Sequence, residues 1–555
     1  MIERRSPDVV MTLERLGSLH QSRLSFMRQL TRRIAREGWS FHTHAFNIDA
    51  NGVGHAVYTA KGPERLYSLV AFAHDLPPEL RSDRVIATAW DATFTLFDGV
   101  PTVADIERLS QNIPLQEAGR VSESELTVSR ANRSVRLWDH CVEALASGNQ
   151  PDPAQLDAVG YLMRTTAVYG SGKLGAADRE VIANRPEMQA PFQAEMLTVY
   201  LIRWFVRDLI EHMARSKGGE AAVKLDRVIA ARLGIGNSTG LGMAPFIVNH
   251  PVLFNNWIMA REEAIARVRS VERASPDEIA CFNDLVARAE KSVQAWYSEH
   301  PIQIEKLAEL GADIATLLQR LKGFDFHSER PWDALWNWAE NHLTSEGQEW
   351  LASLMLEPYG ELVDGLGTCM ADSHTQANIV DGSMPVSELL SLIEQSFGWA
   401  LDVDWNAPEH TAMAWYVSEE KLEPRLGNRF EEPIAAYEQP LAPARDAADA
   451  YRKAQAFGRD ETTADFLTRH PDCRHTVRRA QMARFAPYAE IRSNTIAHDI
   501  LPINMLRAKL SFFGVTHFDP RSDRWVRVCM YAGAPYPTEL SAQNCEHWIY
   551  PEAAS

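Results

Sequence analysis

Apolar residues recur at helical spacing between Ser6 and Glu37, at Leu13, Leu16, Leu24, Met27, Leu30 and Ile34. That period predicts an amphipathic helix, or two in series, at the start of the chain. The texture changes at Trp39. The segments WSFHTHAFNID, GHAVYTA, RLYSLVAFA and RVIATAWDATFTLF are rich in β-branched and aromatic residues, with DANGVG and AKGPER as turn signals between them. Residues 39–98 therefore read as a small antiparallel sheet.

From Val103 to Gly398 helical spacing dominates. PTVADIERLSQ offers Thr102 as an N-cap and Asp105 in the first turn. SESELTVSRANRSVRLWDHCVEALAS and DPAQLDAVGYLMRTTAVY read as further helices. PFQAEMLTVYLIRWFVRDLIEHMARS comes nearest to a membrane span, but Arg203, Arg207 and Asp208 interrupt it, so it reads as a buried helix. Residues 276–323 read as two long helices broken near His300–Pro301, and Trp332, Trp336, Trp338 and Trp350 as core aromatics. The stretch 401–445 is rich in proline and glutamate, with weak periodicity. Near the end Trp525, Arg527, Cys529 and Tyr531 alternate with Val526, Val528 and Met530, the period of a strand.

These patterns predict an α+β protein, predominantly α-helical. A large helical body carries a small antiparallel sheet formed near the N-terminus, which the C-terminal strand can complete. The expected organisation is 1–102, a helix plus the small sheet; 103–400, the helical body; 401–445, an irregular connection; and 446–555, a helical region ending in a strand.

Composition narrows the classes. With 45% hydrophobic and 23% charged residues in 555, the chain is a folded one. A formal net charge of −18, with no Lys/Arg block, argues against nucleic acid or an anionic membrane surface as partner. Six cysteines without a CxxC pair make neither a disulfide framework nor a zinc module. No signal peptide and no span are evident, so a cytoplasmic location is expected, and the size favours a homo-oligomer.

Candidate chemistry gathers in four places. Gly234-Ile-Gly-Asn-Ser-Thr-Gly-Leu-Gly242 holds four glycines in nine residues. Free backbone N–H groups in such a loop can cradle an anion, with Asn237, Ser238 and Thr239 adding donors; Asn249 and His250 follow, and His250 is a candidate proton carrier. Tyr169-Gly-Ser-Gly-Lys-Leu-Gly175 offers Lys173 as a mobile cation and Tyr169 as a proton donor, but Leu174 replaces the Ser/Thr of a P-loop. Arg130, Arg133 and Arg136 recur every third residue, so on a helix they share one broad face on which Arg130 or Arg133 can clamp a carboxylate. His42 and His44, at i and i+2 on a strand, with His55 across a turn and His74-Asp75 ending the third strand, offer imidazoles and a carboxylate for a candidate zinc or iron site, in which His42, His44 and His55 are the leading ligands.

The order Ser129-Arg130-x-Asn132, followed by a loop containing Met243, Pro245, Asn249 and Pro251, resembles the fumarase/aspartase lyases over roughly thirty residues. That resemblance implies a helix-rich fold acting on small carboxylates, although the loop lacks the family's paired serines and lysine. GxSxG, HExxH and Rossmann fingerprints are absent. The leading expectation is an enzyme on a small carboxylate- or phosphate-bearing molecule, lyase- or isomerase-like, with no nucleotide cofactor. A metal-dependent enzyme using His42, His44 and His55 is the alternative, and a non-enzymatic binding or scaffold protein is the third.

Overall fold

The computed structural model describes residues 2–17, 20–80, 89–115, 122–165, 182, 184–188, 190–239, 251–371, 379–407, 442–492, 507, 509–515, 517–522 and 525–550. Helix α1 (Phe26–Arg36) precedes strands β1 (Ser40–Ile48), β2 (Gly54–Lys61), β3 (Leu66–Ala73) and β4 (Ala92–Asp98). Helix α2 (Val103–Asn112) follows, with Thr102 as the expected N-cap and Asp105 completing a capping box with it. Then come β5 (Glu125–Arg133), α3 (Trp138–Ala146), α4 (Pro153–Val159), β6 (Tyr161–Thr165), α5 (Gln193–Gly218) and β7 (Gly234–Thr239).

The strands form one sheet in the order β1-β2-β3-β4-β5-β6-β7-β9-β8, with β8 (His517–Ser522) and β9 (Trp525–Met530) entering from the far end of the chain. All neighbours are antiparallel except β6 and β7. The expectation of a small antiparallel sheet on a helical body is therefore overturned: a large mixed sheet, curled into a half-barrel, runs through the first half of the chain.

Two segments read as helical and one read as a glycine-rich loop account for the difference. SRANR is strand β5, GYLMRT turns at Gly160 into β6, and GIGNST is β7. The first two are buried nearly throughout, as are residues 234–237 of the third, so apolar residues do not alternate, and a short continuous run does not distinguish a covered strand from a helix. The C-terminal strand does join the sheet, but through β7, at the opposite end of the strand order from β1.

Helix α5 explains the covering. Every side chain from Gln193 to Val206 is buried, and the helix packs along the inner face against β2 to β7. A helix apolar on all sides needs a partner all round it, and a curled sheet supplies one. Arg203, which interrupts the apolar run, donates to the carbonyls of Leu233, Ala231 and Ala534 and lies 4.1 Å from the Tyr536 ring centre. It ties α5 to the entrance of β7 and to the C-terminal segment without a carboxylate. No helix among the described residues is long and apolar enough to cross a membrane.

The outer face of β3–β5 is covered by α2, through Val70, Phe72, Phe97 and Val128 against Leu109 and Ile113. Helices α6 (Pro251–Arg269), α7 (Pro276–Gln294), α8 (Pro301–Leu321), α9 (Pro331–His342) and α10 (Ser345–Met355) form the helical side, with α7 and α8 broken where the sequence breaks. Trp332, Trp336 and Trp350 pack in the main core. A second core joins α11 (Val386–Leu401), α12 (Ala442–Ala454) and α13 (Arg474–Met482). Most of the 401–445 connection, residues 408–441, lies outside the described residues.

A lattice of buried ion pairs fixes the N-terminal segment to the helical side. Arg5 reaches Glu262 at 2.6 Å and Glu349 at 2.7 Å; Arg15 and Arg261 also meet Glu349. Arg28 pairs both oxygens of Glu357 at 2.5 and 2.6 Å, and Arg23 pairs Asp364 at 2.7 Å. Burial alone would raise the Glu349 and Glu357 carboxyls, but the guanidiniums overcome it and hold both below their ordinary range.

Candidate functional site

The faces of β5 sort the arginines. The Thr127 hydroxyl meets that of Thr198 on α5 at 2.8 Å, which fixes the inner face. Strand alternation then places Ser129, Ala131 and Arg133 inward, and Val128, Arg130 and Asn132 outward. Arg130 and Arg133, three residues apart, point to opposite faces of the sheet, not to one helical face.

Arg133 is a structural residue. Its backbone N–H and its guanidinium both address Asp91, at 2.9 and 3.7 Å, and the guanidinium lies 4.8 Å from the Trp138 ring centre. Arg130 is different. Its guanidinium lies 4.3 Å from the Trp90 ring centre, and among the described residues no carboxylate pairs with it. Burial lowers it to about 10, still charged at neutral pH, with no acidic group opposing that shift. The Nε–H of Arg130 and the indole N–H of Trp90 are both buried donors without an acceptor among the described residues. Two such donors in one stacked pair mark a place where an acceptor would be stabilised.

Neighbouring groups include a titratable side chain. Thr93 is the cross-strand partner of Arg130, and its hydroxyl lies 2.9 Å from Nε2 of His74 at the end of β3. Burial lowers His74, with Asp91 opposing, so the ring is neutral at physiological pH. A neutral imidazole beside a lone guanidinium can accept a proton from a molecule the guanidinium holds. In the next row Asn132 pairs with Arg164 of β6, which is buried, and Arg164 with Gly236 of β7.

Strands β6 and β7 carry the described residues next in sequence to the two glycine-rich segments. β6 and β7 are adjacent and parallel, and Thr165 and Thr239 end them on the same side. The C-terminal ends of parallel strands are where open sheets present their sites. Tyr169, Lys173, Asn249 and His250 lie outside the described residues. Ser238 and Thr239 are placed by their backbone, opposite Arg527 and Val526 of β9. The first two glycines serve packing: a Cβ on Gly236 would meet Tyr161 and Arg164 at 2.6 Å, and one on Gly234 the Met530 carbonyl at 2.3 Å.

Asn237 does not join Arg130. It follows the Arg164–Gly236 pair by one residue and so lies on the inner face, where its register partner Val528 belongs to the main core. It is 1% exposed, and neither polar atom of its amide has a hydrogen-bond partner among the described residues. The sheet stands between the two residues expected to share one ligand.

The histidines expected to hold a metal are not brought together. A bulge between Thr43 and Ala45 leaves His44 without a register partner and breaks the alternation that would align it with His42. His42 lies opposite Thr59, four residues along β2 from His55, about 13 Å at ~3.3 Å per residue. His55 Nε2 instead meets Asn47 at 3.1 Å. Among the described residues the one group with metal-ligand proximity is Asp449, Asp472 and Cys473, where the Lys453 ammonium already sits 2.7 Å from Asp472.

No protein-family model, curated protein or solved structure matches the chain. The Ser129-Arg130-x-Asn132 segment that resembles the fumarase/aspartase lyases lies on a strand, not on a helix. His74 was expected only beside the metal-site histidines, not as a partner of Thr93 near Arg130, and nothing local marks Trp90 as the platform for Arg130.

Proposed function

We propose that this chain is an enzyme acting on a small anionic molecule, carboxylate- or phosphate-bearing, with lyase- or isomerase-like acid–base chemistry and no nucleotide cofactor. What carries the reading is Arg130, a half-buried guanidinium stacked on Trp90 without a carboxylate. Desolvating a charge without a counter-ion costs free energy that a bound anion would return. In this reading Arg130 and the Trp90 N–H hold the anionic group, and His74, held by Thr93, takes the proton.

The test has two arms. Thermal unfolding of the full chain is followed with succinate, citrate and inorganic phosphate, for wild type and Arg130→Met. An anion at 100 times its Kd adds about 2.7 kcal/mol of stability, several degrees in Tm, and the variant should lose that shift. Incubation with hydroxy acids in D2O then reads proton exchange by NMR, which His74→Gln should abolish. Equal shifts in wild type and Arg130→Met would remove the reading. A second reading, a non-enzymatic anion-binding protein, uses the same pair and predicts binding without exchange in any variant.

A further inference from the structure

The C-terminal segment places a second constellation far from Arg130. Cys281 lies on α7, half-buried. Its Sγ is 4.0 Å from Nε2 of His547, and the opposite ring nitrogen, Nδ1, is 3.5 Å from Oε2 of Glu357. Nδ1 is buried and makes no hydrogen bond of normal geometry, so the Glu357 carboxylate is the acceptor it faces. Arg28 holds that carboxylate through both oxygens, and Arg288 fastens the segment by donating to the carbonyls of Tyr550 and His547.

From the geometry we infer that Cys281, His547 and Glu357 form a nucleophilic triad, with an activated acyl ester or thioester as the class of substrate. The order nucleophile, imidazole, carboxylate through opposite ring nitrogens is the arrangement by which a base is oriented toward a thiol. Both links are longer than working hydrogen bonds, as is common before substrate is bound. Burial, with Glu357 and Asp284 adding to it, pushes the Cys281 thiol up, so at neutral pH it rests protonated and needs His547 to react. As Sγ attacks the acyl carbon, its proton passes to Nε2. The bond to the alkoxide or thiolate breaks, and the leaving group takes that proton. Water then attacks the acyl-cysteine, gives a proton to Nε2, and the C–S bond breaks. That proton returns to sulfur, so ester and water become acid and alcohol. The charges of Arg23 and Arg288 act on the thiol in the opposite sense and favour negative charge there.

The full chain is treated with p-nitrophenyl acetate, and the acetylated peptide is located by mass spectrometry. Acetyl on Cys281 with release of p-nitrophenolate is expected. The rate should fall about 100-fold in His547→Ala, vanish in Cys281→Ser and stay unchanged in Cys369→Ser. If His547→Ala does not fold, the wild type decides: acetyl should sit on Cys281 and not on Cys369, the more exposed thiol. Acetyl on Cys369 or other residues, or Cys281 labelling indifferent to His547, overturns the triad.

Discussion

Arg261 and Arg130 both lose water on folding, and the molecule compensates them differently. Arg261 lies in the helical half among Glu262 and Glu349, which also receive Arg5 and Arg15. Arg130 lies on the outer sheet face against an indole ring. In the first region each charge has an opposite charge, so the cluster is closed and its role is to hold the N-terminal segment against α6 and α10. In the second the compensation is partial. A guanidinium over a ring gains about 0.5–2 kcal/mol, less than a desolvated charge without a counter-ion costs. A region that folds with its charges paired is complete; one that folds with a charge unpaired is open to a ligand.

The sharpest way to break that contrast is to remove one carboxylate from the closed region. Glu349→Ala leaves Arg5, Arg15 and Arg261 around an empty place and should cost about 3–5 kcal/mol, read from urea unfolding. Arg130→Met should change stability by no more than about 1 kcal/mol, because the ring contact it loses is offset by relief from desolvation. If the two variants are equally damaging, the distinction between closed and open regions fails.

Next in size is the acid limb. Burial alone would raise Asp364, but Arg32, Arg23 and Arg36 bring it from 3.8 to about 2. A depressed carboxyl stabilises above its unfolded value and loses that contribution as pH falls through the folded one. Asp364 should therefore contribute about 2 kcal/mol above pH ~4, lost by pH ~2. Comparing unfolding of wild type and Asp364→Asn across that window reads it; a difference that does not change with pH contradicts the assignment.

The smallest effect on stability is expected at His74, where Gln can keep a hydrogen bond to Thr93. His74→Gln should retain the anion-induced rise in Tm within about 0.5 kcal/mol and lose proton exchange. Loss of both would make His74 part of the anion site instead of its base.

The legible parts of the fold were those where one period and its local signals agree. The α2 capping box and the break between α7 and α8 follow from residues within a few positions of each other. The strands at Glu125–Arg133, Tyr161–Thr165 and Gly234–Thr239 did not follow. Their sides are covered by α5, by α2 and by strands distant in sequence, so no alternation survives to mark them. The error carried into the site: a threefold spacing of arginines means one face on a helix and opposite faces on a strand.

By itself the sequence determined the buried helix around Arg203, the residue types able to hold an anion, and the acidic balance of −18, because these depend on composition and near neighbours. Only the tertiary structure decided that Arg130 has Trp90 and no carboxylate, that Arg133 has Asp91, and that Asn237 lies on the other side of the sheet. It also brought Cys281 within 4.0 Å of His547, 266 residues away. Whether a charge is paired depends on which strands and helices meet, and that is set by burial over the whole chain, not by any segment of it.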